Sequence, residues 1–216
     1  MERIPIAGAG FVVTGLIEVI NANRAYLSEI DGAIGDGDHG INMSKGFTAA
    51  GARLAKGPPP GLAGALGVLG ETLVNDVGGS MGPLYGTFFQ AMAEALGDRQ
   101  ALDAAAFSSM LGAGLAGVQE IGNAKVGDKT LIDALVPARD AFDAALAAGH
   151  PFAECLRQMA AAAEAGRDST KDLVARIGRA SRLGERSRGV LDAGATSCAL
   201  LLRSMATTVG GALASG

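Results

Sequence analysis

The 216-residue sequence is poor in residues on which several common classes of protein depend. It contains no Trp, two Cys, two His and two Tyr, and aromatic residues make up 4% of the chain. Cys155 and Cys198 are too few for a disulfide framework, and their apolar neighbours indicate free thiols in a reducing compartment. The shortage of aromatic side chains also argues against base-stacking surfaces for nucleic acid.

Charge of one sign is not in excess either. The 18 Lys and Arg residues oppose 22 Asp and Glu, and the formal net charge is −4. No basic block stands out, so we expect no binding to nucleic acid. The apolar stretch at residues 198–202 is far too short to span a bilayer, and the first residues do not resemble a signal peptide. These features predict a cytoplasmic protein that does not bind membranes.

Strand signals are also scarce, because β-branched residues are few and no hairpin pattern is found. Ala and Gly together form roughly a third of the chain, which favours slim, closely packed helices. Apolar residues at helical spacing predict eight amphipathic helices. Their approximate bounds are 11–28, 40–57, 62–77, 83–97, 103–121, 131–149, 151–177 and 195–209. A kink is expected at Pro137, and Gly166 is expected to divide the seventh helix. The sequence therefore predicts one all-α domain over residues 1–216.

The connections between these helices differ in composition. Short connections favour antiparallel neighbours, so alternate loops should lie at the same end of the molecule. The loops after the first, third, fifth and seventh helices are the richest in Gly and polar residues. They span residues 31–39, 78–82, 122–129 and 178–194. We therefore expect a single site at the end where these four loops meet.

The first of these loops carries Asp31, Asp36 and Asp38 within eight residues, just before a predicted helix. Crowded carboxylates raise each other's pKa unless a cation neutralises them, and oxygen ligands suit Mg²⁺ or Ca²⁺. The start of the following helix suits an anion. A solvated helix-capping turn is the alternative. An EF-hand is excluded because Phe47 stands where its Glu should be. The loop therefore favours a divalent cation beside a phosphate.

Two further loops contain glycine-rich motifs. Residues 78–82, Gly-Gly-Ser-Met-Gly, can present backbone N–H groups to a phosphate or serve as an ordinary connection. Residues 122–130 nearly spell a P-loop, but they have one residue too many before Lys129 and no preceding strand. Asp128 and Lys129 can cap the sixth helix or pair with the acidic loop.

The remaining polar candidates are basic. Arg179, Arg186 and Arg188 form a patch that suits phosphate, although such patches are also common in solvated loops. His39 could be a ligand, a base or a phosphate contact. Beside oxygen ligands, the metal-binding role is the least favoured of these.

Together, the four loops resemble the nucleotide-binding L subunits of dihydroxyacetone kinases. The matching motifs are Ile34-Gly-Asp-Gly-Asp-His-Gly-Ile-Asn-Met43, Gly78-Gly-Ser-Met-Gly-Pro-Leu-Tyr-Gly-Thr-Phe-Phe89, Gly127-Asp-Lys-Thr-Leu-Ile-Asp133, Gly178-Arg-Ala-Ser-Arg-Leu-Gly-Glu-Arg-Ser187 and Asp192-Ala-Gly-Ala-Thr196. The resemblance spans nearly the whole chain. It implies a closed barrel of eight antiparallel helices with the nucleotide at one end.

The resemblance also implies roles for individual residues. Asp31, Asp36 and Asp38 are expected to bind two Mg²⁺ ions that bridge the phosphates of ADP or ATP. The expected nucleotide contacts are His39, Gly40, Ile41, Asn42, Ser80, Met81, Gly122, Leu131, Arg179, Asp192, Ala193 and Gly194. Of these, Gly122 and Leu131 would border the adenine, and His39 and Arg179 are the expected catalytic residues.

Two departures from the family pattern affect these expectations. Many relatives have Gly-Gly-Ala-Ser-Gly where this chain has Gly-Gly-Ser-Met-Gly, so the hydroxyl of Ser80 is displaced by one position. Asp192-Ala-Gly replaces a common Asp-Pro-Gly, which loosens that loop.

The family's chemistry is phosphoryl transfer by positioning and charge neutralisation. The resemblance implies a separate sugar-binding K-type subunit that holds the ketose, so this chain is expected to be inactive alone. The donor is either ATP or a phosphohistidine protein of the phosphotransferase system, and a homodimer is left open. Alternatives are another ketose or tetrulose as substrate and a non-catalytic Mg-nucleotide-binding regulatory module. The related fatty-acid kinase domain typically has Thr where His39 stands.

Overall fold

The computed structural model describes residues 2–57 and 61–215, and within them nearly all regular structure is helical. Two short strands, β1 (Arg3–Pro5) and β2 (Ala101–Asp103), pair antiparallel with Ile4 opposite Leu102. The helices of this described part are α1 (Phe11–Ala22), α2 (Arg24–Ile34), α3 (His39–Lys56), α4 (Gly61–Asp76), α5 (Met81–Leu96), α6 (Ala104–Ile121), α7 (Ile132–Ala147), α8 (Phe152–Ser169) and α9 (Ala193–Ala214). The predicted all-α class is confirmed. The proline run expected to end the second predicted helix lies at 58–60, outside the described residues.

Helices that follow one another in the chain pack side by side. From α3 to α9, each helix contacts the next, α9 contacts α1, and α1 contacts α3. The core between them is filled by fully buried apolar side chains, including Phe47, Phe89, Phe107 and Phe142. Phe107 and Phe142 stack with ring centroids 5.0 Å apart. Burial of each such side chain stabilises the fold by about 2–3 kcal/mol. The polar loops therefore extend from a stable helical scaffold.

The first predicted helix is wrong as a single element. It is two helices, because α1 ends at Ala22 and α2 begins at Arg24. Asn23 lies between them, and its side-chain amide donates to the Val19 carbonyl oxygen at 2.8 Å. Such a local side-chain bond competes with the continuing helix. α2 also runs beyond the predicted end at residue 28 to Ile34, so Asp31 lies in its last turn rather than in a loop.

The predicted division of the seventh helix is also wrong. α8 runs unbroken through Gly166, and Leu173 and Ile177 lie in irregular chain after a short 3₁₀ turn, Thr170–Asp172. Gly166 serves close packing instead, because a Cβ there would lie 2.1 Å from the Asp133 carbonyl oxygen of α7. Pro137 lies inside α7, which continues past it, and the kink expected there stays a prediction.

The last helix is longer than predicted, because α9 spans Ala193–Ala214 rather than residues 195–209. Within the described ranges, α9 is the one helix long and apolar enough to cross a membrane. It packs against α1, α7 and α8, and Cys198, Leu202 and Met205 are buried. The core helix of a helical assembly has the same length and composition, so this feature is explained by packing.

Candidate functional site

Three carboxylates gather where α2 ends and α3 begins. The ligand oxygens of Asp31, Asp36 and Asp38 all lie within 4.8 Å of one another. Asp31 comes from α2, whereas Asp36 and Asp38 come from the short connection to α3. Three negative charges at this distance repel one another unless a cation lies among them. An all-oxygen set of this kind fits Mg²⁺.

The connection that brings these residues together depends on close packing of α3 against α2. A Cβ at Gly40 would lie 2.0 Å from the Arg24 carbonyl oxygen, so only Gly fits there. The N–H of His39 points at the acidic cluster and donates to Asp31 Oδ2 at 3.3 Å. The positive end of the α3 dipole therefore faces the carboxylates and any phosphate beside them.

One positively charged side chain, Arg179, reaches this cluster from a distant part of the chain. Arg179 begins the first of two short 3₁₀ turns, which together span Arg179–Ser187 and meet at a kink at Gly184. Its guanidinium forms an ion pair with Asp36. The two side chains are 65% and 39% exposed. Because both remain in contact with solvent, the pair is weak and Arg179 is free to exchange Asp36 for a ligand.

The acidic cluster lies in a cleft of about 660 Å³. Beyond the cluster, the wall is formed by the loop at residues 78–81, and the hydroxyl of Ser80 makes no capping bond to α5. Farther along, the wall is apolar and includes Leu84, Val118, Gly122 and Leu131. A ligand with a charged end and a flat apolar end therefore matches the chemistry of this cleft.

A buried hydrogen-bond network joins three elements beneath the cluster. His39 Nε2 and Ser197 Oγ are 2.9 Å apart, and Ser197 Oγ and Tyr85 Oη are 2.6 Å apart. The Tyr85 and Ser197 hydroxyls each lie 3.1 Å from the Gly194 carbonyl oxygen. Burial lowers the pKa of His39 to about 4, against the opposing effect of Asp31, and burial raises the pKa of Tyr85 well above 10. Both groups are therefore neutral at neutral pH.

The loop before α7 is fixed by two buried charges. Asp133 accepts from the N–H groups of Gly127 at 2.5 Å and Thr130 at 2.7 Å. Lys129 has a left-handed backbone with φ 64°, which costs a non-glycine residue about 1 kcal/mol. Its ammonium donates to the carbonyl oxygens of Thr170 and Val190. Burial lowers the pKa of Lys129, and the negative charges of Asp192 and Asp133 partly offset this effect.

Asp192 is the N-cap of α9 and accepts from the Ala195 N–H at 2.7 Å. Burial raises the pKa of this carboxyl to about 7, whereas the bond from Ala195 and the charge of Lys129 act in the opposite direction. Asp192 also lines the cleft. Asp192 is therefore a carboxyl group with a pKa near neutrality that lines the predicted nucleotide site.

With this geometry in place, comparison with known proteins identifies the family. Residues 33–207 match the model of the DAK2 domain. The chain belongs to the DAK2 domain family. It is 41% identical over 191 residues to the ADP-binding subunit DhaL of a PEP-dependent dihydroxyacetone kinase of Listeria innocua, which covers 88% of this chain and 90% of the relative.

Longer proteins are similar to this chain over about a third of their own length. The L-erythrulose kinase of Pectobacterium atrosepticum is 35% identical over 187 residues, and these cover 86% of this chain and 32% of that protein. The crystal structure of the dihydroxyacetone kinase of C. freundii with AMP-PNP and Mg²⁺ superimposes with a TM-score of 0.69 at 26% identity. That match covers 94% of this chain and 34% of the C. freundii chain.

The structure brings most of the predicted site residues of this DAK2 domain into the cleft. Those that line it are Asp31, Asp36, Asp38, His39, Asn42, Ser80, Met81, Gly122, Leu131, Arg179, Asp192, Ala193 and Gly194. Gly40 and Ile41 do not line it. Gly40 is buried against α2, and the Ile41 side chain faces solvent with 47% exposure. For these two residues, only backbone N–H groups can serve the predicted contact.

Several residues that shape the site were not assigned by sequence reasoning. Tyr85 and Ser197 support His39, and Asp133 fixes the loop that carries Lys129. Tyr85 and Asp133 lie within matched motifs, and Ser197 lies four residues after Ala193 on the same helix face. Lys129 neither caps α7 nor pairs with the acidic cluster, so both earlier interpretations of it are wrong. Asp128 instead accepts from the Lys125 N–H and pairs with Arg176 at 3.6 Å.

Proposed function

We propose that this chain is the nucleotide-binding, phosphoryl-transferring subunit of a dihydroxyacetone kinase, and that it acts on a ketose held by a separate sugar-binding subunit. The observation that carries this proposal is the cleft itself. Three clustered carboxylates and a group of apolar side chains line the same cleft. The name of the Listeria innocua relative, which spans nearly the same length, supports the same activity.

Asp31, Asp36 and Asp38 would hold Mg²⁺, with two ions as the predicted number. The ions would neutralise charge on the phosphate oxygens. Arg179, which already reaches Asp36, would place its guanidinium against the transferred phosphoryl group. The N-terminus of α3 and the Ser80 hydroxyl would supply further donors to the phosphates. Neutral His39 would donate or accept one hydrogen bond there, without adding charge.

The apolar wall around Leu131 and Gly122 would receive the adenine. Leu84, Val118 and Leu131 are uncharged and apolar, so the base would be bound by contact area rather than by ion pairs. Asp192, Ala193 and Gly194 would border the site at the start of α9. The nucleotide would then extend from the apolar wall to the acidic cluster.

The larger arrangement is part of the same proposal. The chain would form one DAK2 domain over residues 1–216, built as a closed barrel of eight antiparallel helices with the nucleotide at one end. The helix contacts form a ring through α1 and then α3 to α9, which is eight helices, and this ring supports the arrangement. The chain would work in the cytoplasm with a K-type subunit, and a homodimer remains open to measurement.

The test measures binding first and transfer second. ADP is titrated into the purified chain by calorimetry, once with Mg²⁺ and once with a chelator. We expect tight binding that requires Mg²⁺. Phosphoryl transfer to dihydroxyacetone is then expected only after a sugar-binding subunit is added. A chain that binds neither ADP nor ATP in Mg²⁺ would overturn the proposal.

The phosphoryl donor is tested by nucleotide exchange. The Listeria innocua relative is called PEP-dependent and ADP-binding, so we propose that ADP stays bound here and is rephosphorylated by a phosphohistidine protein. The bound nucleotide is released, identified and timed in its exchange against labelled ATP. Tightly held ADP that exchanges over many minutes fits this donor. Rapid exchange would instead make ATP an ordinary substrate.

A second candidate keeps the site and changes the acceptor. The L-erythrulose kinase of Pectobacterium atrosepticum contains a similar domain, so a tetrulose is an alternative substrate. Because the acceptor is held by the partner subunit, the partner would set this choice. Assays of the chain with sugar-binding subunits from both kinds of kinase would separate the two. If the phosphorylated sugar changes with the added sugar-binding subunit while this chain stays the same, the partner subunit sets the substrate.

A further inference from the structure

The segment that carries Arg179 is anchored at its base. Residues 171–189, the arginine segment, run between Thr170 at the end of α8 and Val190 just before α9. The segment contains Arg176, Arg179, Arg182, Arg186 and Arg188. Apart from short 3₁₀ turns, it is irregular. Such a segment needs fixed ends if Arg179 is to stay over the cleft.

One side chain from another loop bridges the two ends. The Lys129 ammonium donates to the Thr170 carbonyl oxygen on one side and to the Val190 carbonyl oxygen on the other. Lys129 is 2% exposed, and among the described residues it alone has a positive φ without being Gly. The backbone thus adopts an unfavourable conformation that places this ammonium between the two ends.

Further hydrogen bonds lie at the base. The Gly189 N–H donates to the Lys171 carbonyl oxygen at 2.7 Å, and the Asp192 N–H donates to Thr170 Oγ1 at 3.0 Å. The Arg176 N–H donates to the Asp128 carbonyl oxygen at 3.1 Å, next to Lys129 itself. The two ends of the arginine segment are therefore bonded to each other and to the loop before α7.

We infer that Lys129 is a positioning residue, which closes the base of the arginine segment and so holds Arg179 at the acidic cluster. The inference concerns Lys129 acting through Arg179, and its consequence for the nucleotide rests on the proposed function. Lys129 would act on how long the nucleotide stays bound. It would not contact the phosphates itself, because both of its carbonyl partners lie in the base.

The test compares Lys129→Ala with Lys125→Ala, which removes an exposed Lys from the same loop. Limited trypsin digestion follows cleavage within the arginine segment. We expect cleavage there to accelerate about tenfold in Lys129→Ala, while cleavage elsewhere and in the control stays unchanged. Propylammonium should restore protection in part, because Lys129 lines the cleft and its vacated space opens there. Unchanged cleavage, or equal acceleration at all sites, would overturn the inference.

A second arm asks whether Lys129 acts through Arg179. Dissociation of labelled ADP in Mg²⁺ is timed for Lys129→Ala, Arg179→Ala and the double variant. We expect each single variant to release ADP about tenfold faster and the double variant to match Arg179→Ala alone. Additive effects would contradict the coupling. If the wild-type chain binds no nucleotide, the proposed function fails, and the trypsin arm alone decides the role of Lys129.

Hydrogen exchange of the wild-type chain provides an answer if Lys129→Ala does not fold. The amides of Arg176, Gly189 and Asp192 are all bonded at the base. If Lys129 closes the base as one unit, these amides share one opening free energy once each exchange rate is divided by the intrinsic rate of that amide. Three different opening free energies would overturn the inference.

Discussion

The acidic cluster and Lys129 line the same cleft, but their charges are satisfied in different ways. Asp31, Asp36 and Asp38 crowd together with partial exposure, and the cation that reaches them is the 65% exposed Arg179. Lys129 is almost fully buried and has two carbonyl acceptors, with Asp133 bonded to the same loop. The first group carries unbalanced charge, and the second is balanced within the protein.

This difference separates binding from folding. Mutual repulsion in the acidic cluster opposes the folded state of the free chain, so these residues are explained by a ligand and not by stability. The groups around Lys129 would leave buried partners unpaired if they were removed, so they stabilise the fold. We therefore expect substitutions in the acidic cluster to change nucleotide affinity, and substitutions around Lys129 to change the free energy of unfolding.

The largest effect is expected from Asp36→Asn combined with Asp38→Asn. The double variant should bind Mg-ADP about 1,000-fold more weakly, which corresponds to about 4 kcal/mol. Its unfolding free energy without Mg²⁺ should not fall, because two repelling charges are removed. Calorimetry and urea unfolding measure the two quantities. Asp140→Asn is the matched control, since Asp140 is 60% exposed and does not line the cleft. Unchanged affinity in the double variant would refute the metal assignment.

The opposite pattern is expected from Asp133→Ala. The N–H groups of Gly127 and Thr130 lose their acceptor, and Asp133 itself is 1% exposed. Two such bonds to a buried carboxylate correspond to about 3 kcal/mol of unfolding free energy. Urea unfolding without Mg²⁺ should show this loss, whereas Asp140→Ala should not. A loss below about 1 kcal/mol would mean that this loop is not held by its buried charges.

Asp192 falls between the two groups, because it is both a helix cap and a cleft residue. Its raised pKa means that the folded chain binds the proton more tightly than the unfolded chain. The resulting stability is complete below about pH 4 and is lost as pH rises through about 7. The difference between 3.8 and about 7 corresponds to about 4 kcal/mol, which partial exposure reduces to about 2 kcal/mol.

Asp192→Asn should remove this pH dependence and keep the cap, because Asn also accepts from the Ala195 N–H. Unfolding of both proteins without Mg²⁺ is compared between about pH 5 and about pH 8. We expect the variant to gain about 2 kcal/mol relative to the wild type over this range. Parallel pH profiles would show that Asp192 ionises normally and belongs with the exposed acidic cluster.

Sequence reasoning reached the acidic cluster because its signal is local. Asp31, Asp36 and Asp38 lie close in the chain, so their crowding is visible without a fold. The helices were found for the same reason, since apolar spacing is a local pattern. The break at Asn23 was missed because it depends on one side-chain bond to Val19. The pairing of β1 with β2 was missed because it joins distant residues.

The buried contacts of Lys129 could not be predicted in the same way. Lys129 is held by the backbone carbonyls of Thr170 and Val190, and any residue type offers a carbonyl. No letter in the sequence marks such a partner. His39 and Ser197 are 158 residues apart in the chain, so their bond also requires the fold. Contacts made by backbone groups or by distant side chains are the part that the sequence leaves undetermined.

The smallest effect is expected from Asp76→Asn, which breaks the ion pair between Arg53 and Asp76. Their atoms are 3.0 Å apart, but the side chains are 43% and 35% exposed. These charges have a partner, as Lys129 does, but they are exposed, as Asp36 is. The pair therefore separates the effect of having a partner from the effect of burial. Solvent screening limits its contribution to about 0.5 kcal/mol or less. Thermal unfolding without Mg²⁺ should therefore change little, and ADP affinity should stay the same. A loss above about 1 kcal/mol would mean that having a partner, and not burial, decides which charges stabilise this fold.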